Sequence, residues 1–525
     1  MGLKLTSRSL ARSSPWVLLI VLELGGICAF WVFDALPFVD LSGHAGVFAL
    51  HKLLLKPGFE HRFFVFWPHL GEYSLFRFLG DTLTRWSNPV TAVRVLGTLP
   101  LVATPLAVLL ARYRLYGDIS PFFPTVGIVL CFGYLTMMGL ASYMLAIPLL
   151  LIVLAEWLRL MSAVDRCANT LASEVTVALL VMALFLTHGY AFFVFSFIAG
   201  VTAISAGSVV GRLWRLRDFL PATVLVSYSV WAERAANMPA NIAPLPASFA
   251  LYYDPILNKL GLILTPTLFS RTGVDLLIGV SVWIVVIGGV SISNRATSQT
   301  RQSSAPDRRD YIRVLTVACI GTFLLFLVMP HSIGWFSFSD ARLLPIVIFL
   351  GLLAIDTNAF SPKLRHIAVH WANVSAVATI GLFLWASHVF QSEASGYRQV
   401  FSAIPAYSRV LYLPLDSDSR IFVQHSFSRY DGLLLAEKPV LPSQTWFQSG
   451  TAIYPTAANP ILRLPSEYVP ASLHRVVWKD YRLHDWDYVV IRQNSDGRPP
   501  MTPRELICVD HYGSWWLFRN RTKRT

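Results

Sequence analysis

Residues 39–73, VDLSGHAGVFALHKLLLKPGFEHRFFVFWPHLGEY, hold the densest group of ionisable side chains outside the long apolar runs of this chain. From Leu41 the apolar positions recur at helical spacing, and Asp40 stands where an N-cap or first-turn acid belongs. Asp40, His44 and His51 are separated by four and seven residues, offsets that put all three within about 40° of one helix face. A carboxylate partly withdrawn from water at such a place is a general base whose pKa rises toward usefulness. The competing reading of Asp40 is a helix cap, and Asp34 is a second candidate for the same acid. His44 and His51 are candidates for phosphate or acceptor contact, or for plain interfacial packing. No HExxH and no third ligand at a recognised spacing accompanies them, which argues against a zinc site.

Further along, Arg342 follows Asp340 at the start of a late apolar run. Its planar fork is a bidentate donor, and an interfacial arginine paired with Asp340 is the plain reading. His188 and His331 stand at the ends of apolar runs, where each either touches an anion or anchors a helix. Glu23 and Arg94 lie inside apolar runs, as functional groups or as partners of one another. Trp67, Tyr73 and Trp86 offer stacking surfaces or an interfacial aromatic belt. The five cysteines form no CxxC and no metal-ligand spacing, and no GxGxxG, Walker A or GxSxG occurs.

The elements that must position these groups follow from composition. Of 525 residues, 54% are hydrophobic and 14% charged, against roughly 25% charged in soluble proteins, which excludes a soluble globular enzyme. Apolar runs long enough to cross a hydrocarbon core recur near 16–33, 90–110, 122–139, 142–158, 172–187, 190–210, 217–231, 274–292, 313–329, 343–356 and 367–390. The first follows Lys4, Arg8 and Arg12 and is longer than a cleaved signal core, so it reads as a retained helix. The net charge of +13 is scattered over short loops rather than gathered on one soluble domain, which is a topology signal and not a nucleic-acid surface.

With the N-terminus inside, Arg112, Arg114, Arg159, Arg166, Arg212, Arg215, Arg217, Arg295, Arg301, Arg308, Arg309, Lys363 and Arg365 fall on the cytoplasmic side. Residues 34–89, the turn at His188, 232–273, 330–342 and everything after 390 then face outward. The outer loop 34–89 is too aromatic to be disordered, whereas NRATSQTRQSSAPDRRD (294–310) reads as a flexible linker. From Gln391 the composition becomes that of a soluble α/β domain, with strands expected at 409–415, 420–425, 487–493 and 514–520. The expected fold is an all-α polytopic membrane bundle of about eleven transmembrane helices (1–390) with a C-terminal α/β outer domain (391–525).

A first helix, a large outer loop opening with an acid and a helix, about ten further spans and a C-terminal outer domain together resemble the C-superfamily (GT-C) of polytopic membrane glycosyltransferases. That superfamily includes protein O-mannosyltransferases and bacterial aminoarabinose transferases. VDLSGHA places Asp40 at the family's catalytic acid, with Leu41 where many members carry a second acid. THGYAFFVF (187–195) and DARLLPIVIF (340–349) are similar to span-boundary segments of the family.

The resemblance implies an inverting transfer of a sugar from a polyprenyl-phosphate donor to a glycan, lipid or protein acceptor at the extracytoplasmic face of the cell membrane. Asp40 or Asp34 would be the base, with Arg342, His44, His51, His188 and His331 at the substrates. No cofactor is required; if a divalent metal takes part, Asp34 or Asp40 is its candidate ligand. Two other classes remain open: a transporter or flippase of a lipid-linked or hydrophobic solute, which would carry related halves with matching broken helices, and a non-catalytic membrane assembly protein.

Overall fold

The structure is a computed structural model that describes residues 7–165, 170–205, 215–236, 250–299, 306–334, 336–446, 449–465, 476–493 and 502–522. Arg166, Arg212 and Arg301 of the expected cytoplasmic charge, and Cys167, lie outside them.

Helices dominate to residue 394. They are α1 (Ser7–Trp31), α2 (Val39–Leu53), α3 (Ser74–Trp86), α4 (Pro89–Tyr116), α5 (Phe122–Leu130), α6 (Ala141–Asp165), α7 (Leu171–Thr187), α8 (Gly189–Ile204), α9 (Leu220–Ala236), α10 (Ile256–Leu262), α11 (Val274–Gln299), α12 (Pro306–Val328), α13 (Leu343–Ala354) and α14 (Pro362–Ala394). Five of them, α4, α6, α11, α12 and α14, are long and apolar enough to cross a membrane, and parts of α1, α7, α8 and α13 are shorter apolar helices. Large apolar side chains face outward along the bundle: Ile20 and Leu24, Leu277 and Ile284, Ile320 and Leu324, Val374 and Val377 are all more than half exposed. A belt of that kind is unfavourable in water and ordinary in lipid. By contrast every residue of α13 is buried, as a helix apolar all round requires.

Two expected spans differ. The run 122–139 is broken: α5 stops at Leu130, and after a turn only Tyr134–Met137 is helical. The break is satisfied from outside the helix, since Tyr134 N donates to Thr265 O at 2.9 Å. The run 217–231 forms α9, which is not among the nine apolar helices. The two ends of the expected linker 294–310 are helical, since α11 continues to Gln299 and α12 begins at Pro306, while 300–305 lie outside the described residues.

Beyond α14, which runs three residues past Gln391, a five-stranded sheet forms in the order β6 (Leu441–Pro442), β5 (Arg409–Pro414), β8 (Tyr488–Arg492), β10 (Trp515–Asn520), β9 (Leu506–Tyr512). β5 is parallel to β6 and β8, and β10 is antiparallel to β8 and β9. The expected strand at 420–425 is not in this sheet. Its backbone instead holds the bundle, with Arg271 N donating to Ile421 O and Val423 N to Phe269 O. A further helix, α15 (Asp431–Glu437), lies against α2, and β7 (Ile453–Pro455) pairs antiparallel with β1 (Phe64–Phe66) of the outer loop. The α2 and α15 backbones meet at Gly432, where a Cβ would collide with the Ser42 carbonyl. The last sheet, β2 (Leu251–Tyr252), β3 (Ser332–Ile333) and β4 (Phe336–Ser337), joins two loops between bundle helices.

Candidate active site

Helix α2 begins just after Phe38, whose side chain makes no capping bond. Asp40 is therefore a first-turn acid and not the N-cap, and its backbone N–H donates to Met138 O at 2.9 Å. That contact depends on Gly139, which has φ +77° and whose Cβ would stand 2.7 Å from Leu41 N. From there one face of α2, Asp40, His44, Val47, Phe48 and His51, lines a cavity of about 290 Å³. These positions are the i, i+4, i+7, i+8 and i+11 set of a single helix stripe.

The other walls come from far along the chain. Tyr73, Phe76 and Arg77 belong to the outer loop and α3; Met138, Leu140 and Ser142 to the segment entering α6; His188 to the α7–α8 junction. Phe336, Ser337, Phe338 and Arg342 lead into α13, and Arg429, Trp446, Gly450 and Thr451 come from the C-terminal region. Five of the expected site residues thus meet at one cavity: Asp40, His44, His51, His188 and Arg342.

Asp40 is half-buried, and among the described residues no side chain hydrogen-bonds its carboxylate. Burial pushes its pKa up from 3.8 to about 6, with Arg429 and Arg342 pulling it back down. It is ionised at neutral pH yet able to take a proton near it, the condition a general base needs. His44 meets only rings, the edges of Phe76 and Trp446 at centroid distances of 4.9 Å. Burial lowers its pKa to about 3, so its imidazole is neutral.

Arg342 is buried and held by neutral groups. Its Nη1 donates to His188 Nε2 at 3.2 Å, its Nη2 to Ser337 O at 3.1 Å, and its guanidinium lies 4.0 Å over Phe336. Tyr143 OH donates to its backbone carbonyl. Among the described residues its Nε has no hydrogen-bond partner and no carboxylate forms an ion pair with it, the Asp40 carboxylate acting on it only at a distance. The Asp340 pairing that the sequence leaves open is absent, because Asp340 faces Lys259 at 3.3 Å and His331 at 3.0 Å instead. His188 must accept from the guanidinium through Nε2, which leaves its hydrogen on Nδ1, a buried atom without a partner. Arg429 is a second guanidinium at the cavity. It stands 5.3 Å from the Trp446 ring and donates weakly to Gln444 O at 3.4 Å.

Three expected site residues do other work or stand elsewhere. His51 lines the cavity, but its Nδ1 meets Asp81 and its Nε2 meets Thr451 O, both at 2.7 Å, so the ring ties α2 to α3 and to the C-terminal region. Asp34 lies outside the cavity on an exposed turn, its side chain 78% accessible and 3.2 Å from Arg398. His331 also lies outside it, bridging Asp254 and Asp340. Glu23 and Arg94 do not pair, since Arg94 donates to the Asp34 carbonyl and one Glu23 oxygen is unpartnered. Neither expected metal ligand, Asp34 or Asp40, belongs to a group of three converging donors; among the described residues that group is Asp254, His331 and Asp340.

Arg429 and Trp446 escape sequence reading altogether. Both lie in the region read as a separate domain, and nothing local marks them. Tyr73 carries a faint signal as an aromatic in a crowded loop, and the structure holds it at φ 65° against His188.

No protein-family model matches the chain, and no curated protein matches its sequence. Solved structures match in fold. The crystal structure of ArnT from Cupriavidus metallidurans bound to undecaprenyl phosphate superposes with a TM-score of 0.53 at 12% identity, over 96% of this chain and 98% of that one. The Archaeoglobus fulgidus oligosaccharyltransferase gives 0.45 at 11% identity over 91% and 70%, and the mycobacterial arabinofuranosyltransferase AftD gives 0.42 at 13% over 96% and 40%. At 12% identity the match to ArnT is a likeness of fold, along nearly the whole of both chains.

Proposed function

We propose that this chain is an integral membrane glycosyltransferase that moves a sugar from a polyprenyl-phosphate carrier to an acceptor hydroxyl on the extracytoplasmic side, with inversion. The observation that carries the reading is a buried guanidinium, Arg342, without a carboxylate partner, in the same cavity as a carboxylate whose pKa is about 6. An unpaired buried cation is costly unless an anion joins it, and a phosphate leaving group is such an anion.

In this mechanism Asp40 takes the acceptor proton as the acceptor oxygen attacks the anomeric carbon. The bond from that carbon to the phosphate oxygen breaks, and its electron pair leaves with the phosphate. Negative charge grows on that oxygen in the transition state, where Arg342 and Arg429 stabilise it without reorganising. The neutral His44 and His188 orient substrate groups, and Trp446 and Tyr73 offer ring faces to the sugar or the first prenyl units. That ArnT was crystallised with undecaprenyl phosphate supports a lipid phosphate as the ligand class. A panel of lipid-linked sugars is the assay substrate.

The topology that goes with this reading has eleven spans, the N-terminus in the cytoplasm and residues 391–525 outside as the second domain. Arg112, Arg159, Arg295 and Arg308 then share the cytoplasmic side. Membrane vesicles carrying the wild type should consume one member of an undecaprenyl-phosphate sugar panel, and those carrying Asp40→Asn should not. Reporters near residue 300 and after residue 391 should report opposite sides. Wild-type vesicles inert toward every member, with the protein present at normal levels, would sink the transferase reading in favour of transport or assembly.

A further inference from the structure

Outside the cavity two segments bring Asp254, His331 and Asp340 together. His331 Nδ1 lies 3.1 Å from Asp254 Oδ2 and 3.0 Å from Asp340 Oδ1, and all the potential ligand atoms lie within 4.8 Å of one another. Asp340 is fully buried, while Asp254 and His331 are 13% and 18% accessible. One ring nitrogen carries at most one hydrogen, so it cannot satisfy two carboxylates well, and the two acids face each other across it. Among the described residues Asp340 Oδ2 has an ionic contact with Lys259 but no hydrogen bond. The nearby Lys259 ammonium is 3.3 Å away and donates instead to Phe326 O at 3.0 Å and to Met329 O.

We propose that His331 Nδ1, Asp254 Oδ2 and Asp340 Oδ1 form a structural site for a divalent transition ion of the zinc class. Ligands at roughly 2.0–2.2 Å in tetrahedral array stand about 3.4 Å apart, so the two His331–carboxylate separations need open by only a few tenths of an ångström, with the two acids already within 4.8 Å of each other. One imidazole with two carboxylates is a borderline donor set that suits zinc, whereas calcium takes six to eight oxygens.

The site joins the stretch just after β2, through Asp254, to the segment 331–340 that carries Phe336, Ser337 and Phe338 along the cavity wall and ends two residues before Arg342. The ion is a positioning element for that wall and takes no part in bond making. The binding claim stands whatever reaction the cavity performs.

The test uses the full chain in detergent, stripped with chelator, loaded with Zn2+ and passed through metal-free buffer before elemental analysis. About one zinc per chain should remain, and thermal unfolding should shift upward with added Zn2+ because the ion binds the folded chain. Asp254→Asn and His331→Gln should each weaken retention by more than about tenfold while leaving the far-UV spectrum unchanged. His366→Ala with His370→Ala is the control, because those exposed rings on α14, with Nε2 atoms 2.9 Å apart, are a second place where zinc could chelate; it should leave retention intact. Retention lost in that control but kept in His331→Gln, or no retained zinc in the wild type, would overturn the proposal.

Discussion

Replacing Asp40 by Asn should make this protein more stable and inactive at once. The carboxylate is raised from 3.8 to about 6 in the folded chain, mainly by burial. At 1.36 kcal/mol per pKa unit, keeping it ionised costs the fold up to about 3 kcal/mol at neutral pH. The ceiling applies to a group sealed from solvent, and Asp40 keeps some surface toward the cavity. Asn carries no charge, but it forfeits the first-turn interaction with the helix dipole, about 0.3–1 kcal/mol, so the net gain is about 2 kcal/mol. The sign follows from proton binding. Because the folded state holds the Asp40 proton more tightly than the unfolded state does, the wild type is relatively stabilised at low pH and loses that advantage as pH rises from 3.8 through about 6. The gain from Asp40→Asn should therefore be greatest above pH 7 and vanish near pH 4. Scanning fluorimetry in detergent across that range reads it as a rise of a few degrees in Tm, while transfer in vesicles should fall by roughly 10² to 10⁴. Wild-type transfer should itself rise with pH to a plateau, with its midpoint near 6. A variant less stable than the wild type at every pH would refute the desolvated carboxylate, and a stabilised variant with full transfer would refute its role as base.

Arg342→Ala should lower transfer by about 10- to 100-fold, the worth of a charged hydrogen bond at roughly 1.5–3 kcal/mol, and Arg342→Lys should recover only part because Lys lacks the fork; kinetics against donor concentration check both. Asp34→Asn should leave transfer unchanged and shift stability by less than about 0.5 kcal/mol, since its ion pair with Arg398 is exposed, and loss of activity there would move the base from Asp40. Gly432→Ala should destabilise by about 1–3 kcal/mol through overpacking against the Ser42 carbonyl, read as a lower Tm and a loosened contact between α2 and α15.

What could be read along the chain was local. The apolar runs are set by composition over about twenty residues, and the stripe through Asp40, His44 and His51 by the 3.6-residue period of α2, so bundle, loop helix and cavity face were all legible before any coordinate. Three of the four expected C-terminal strands are β-branched or aromatic runs for the same reason, whereas Ile421–Val423 has the same character but is claimed by the backbone at Phe269 and Arg271. Tertiary structure decided the identity of each partner. His51 and His44 look alike in sequence, yet Asp81 and the Thr451 carbonyl occupy both nitrogens of one while rings surround the other. Asp340 is Arg342's neighbour in the chain and Lys259's partner in space, so among the described residues no carboxylate forms an ion pair with Arg342. Arg429 and Trp446 reach the cavity from nearly four hundred residues beyond Asp40. Charge pairing and desolvation depend on distances between segments that a period along one helix does not encode, so periodicity sets which side chains share a face and the fold sets what each of them meets.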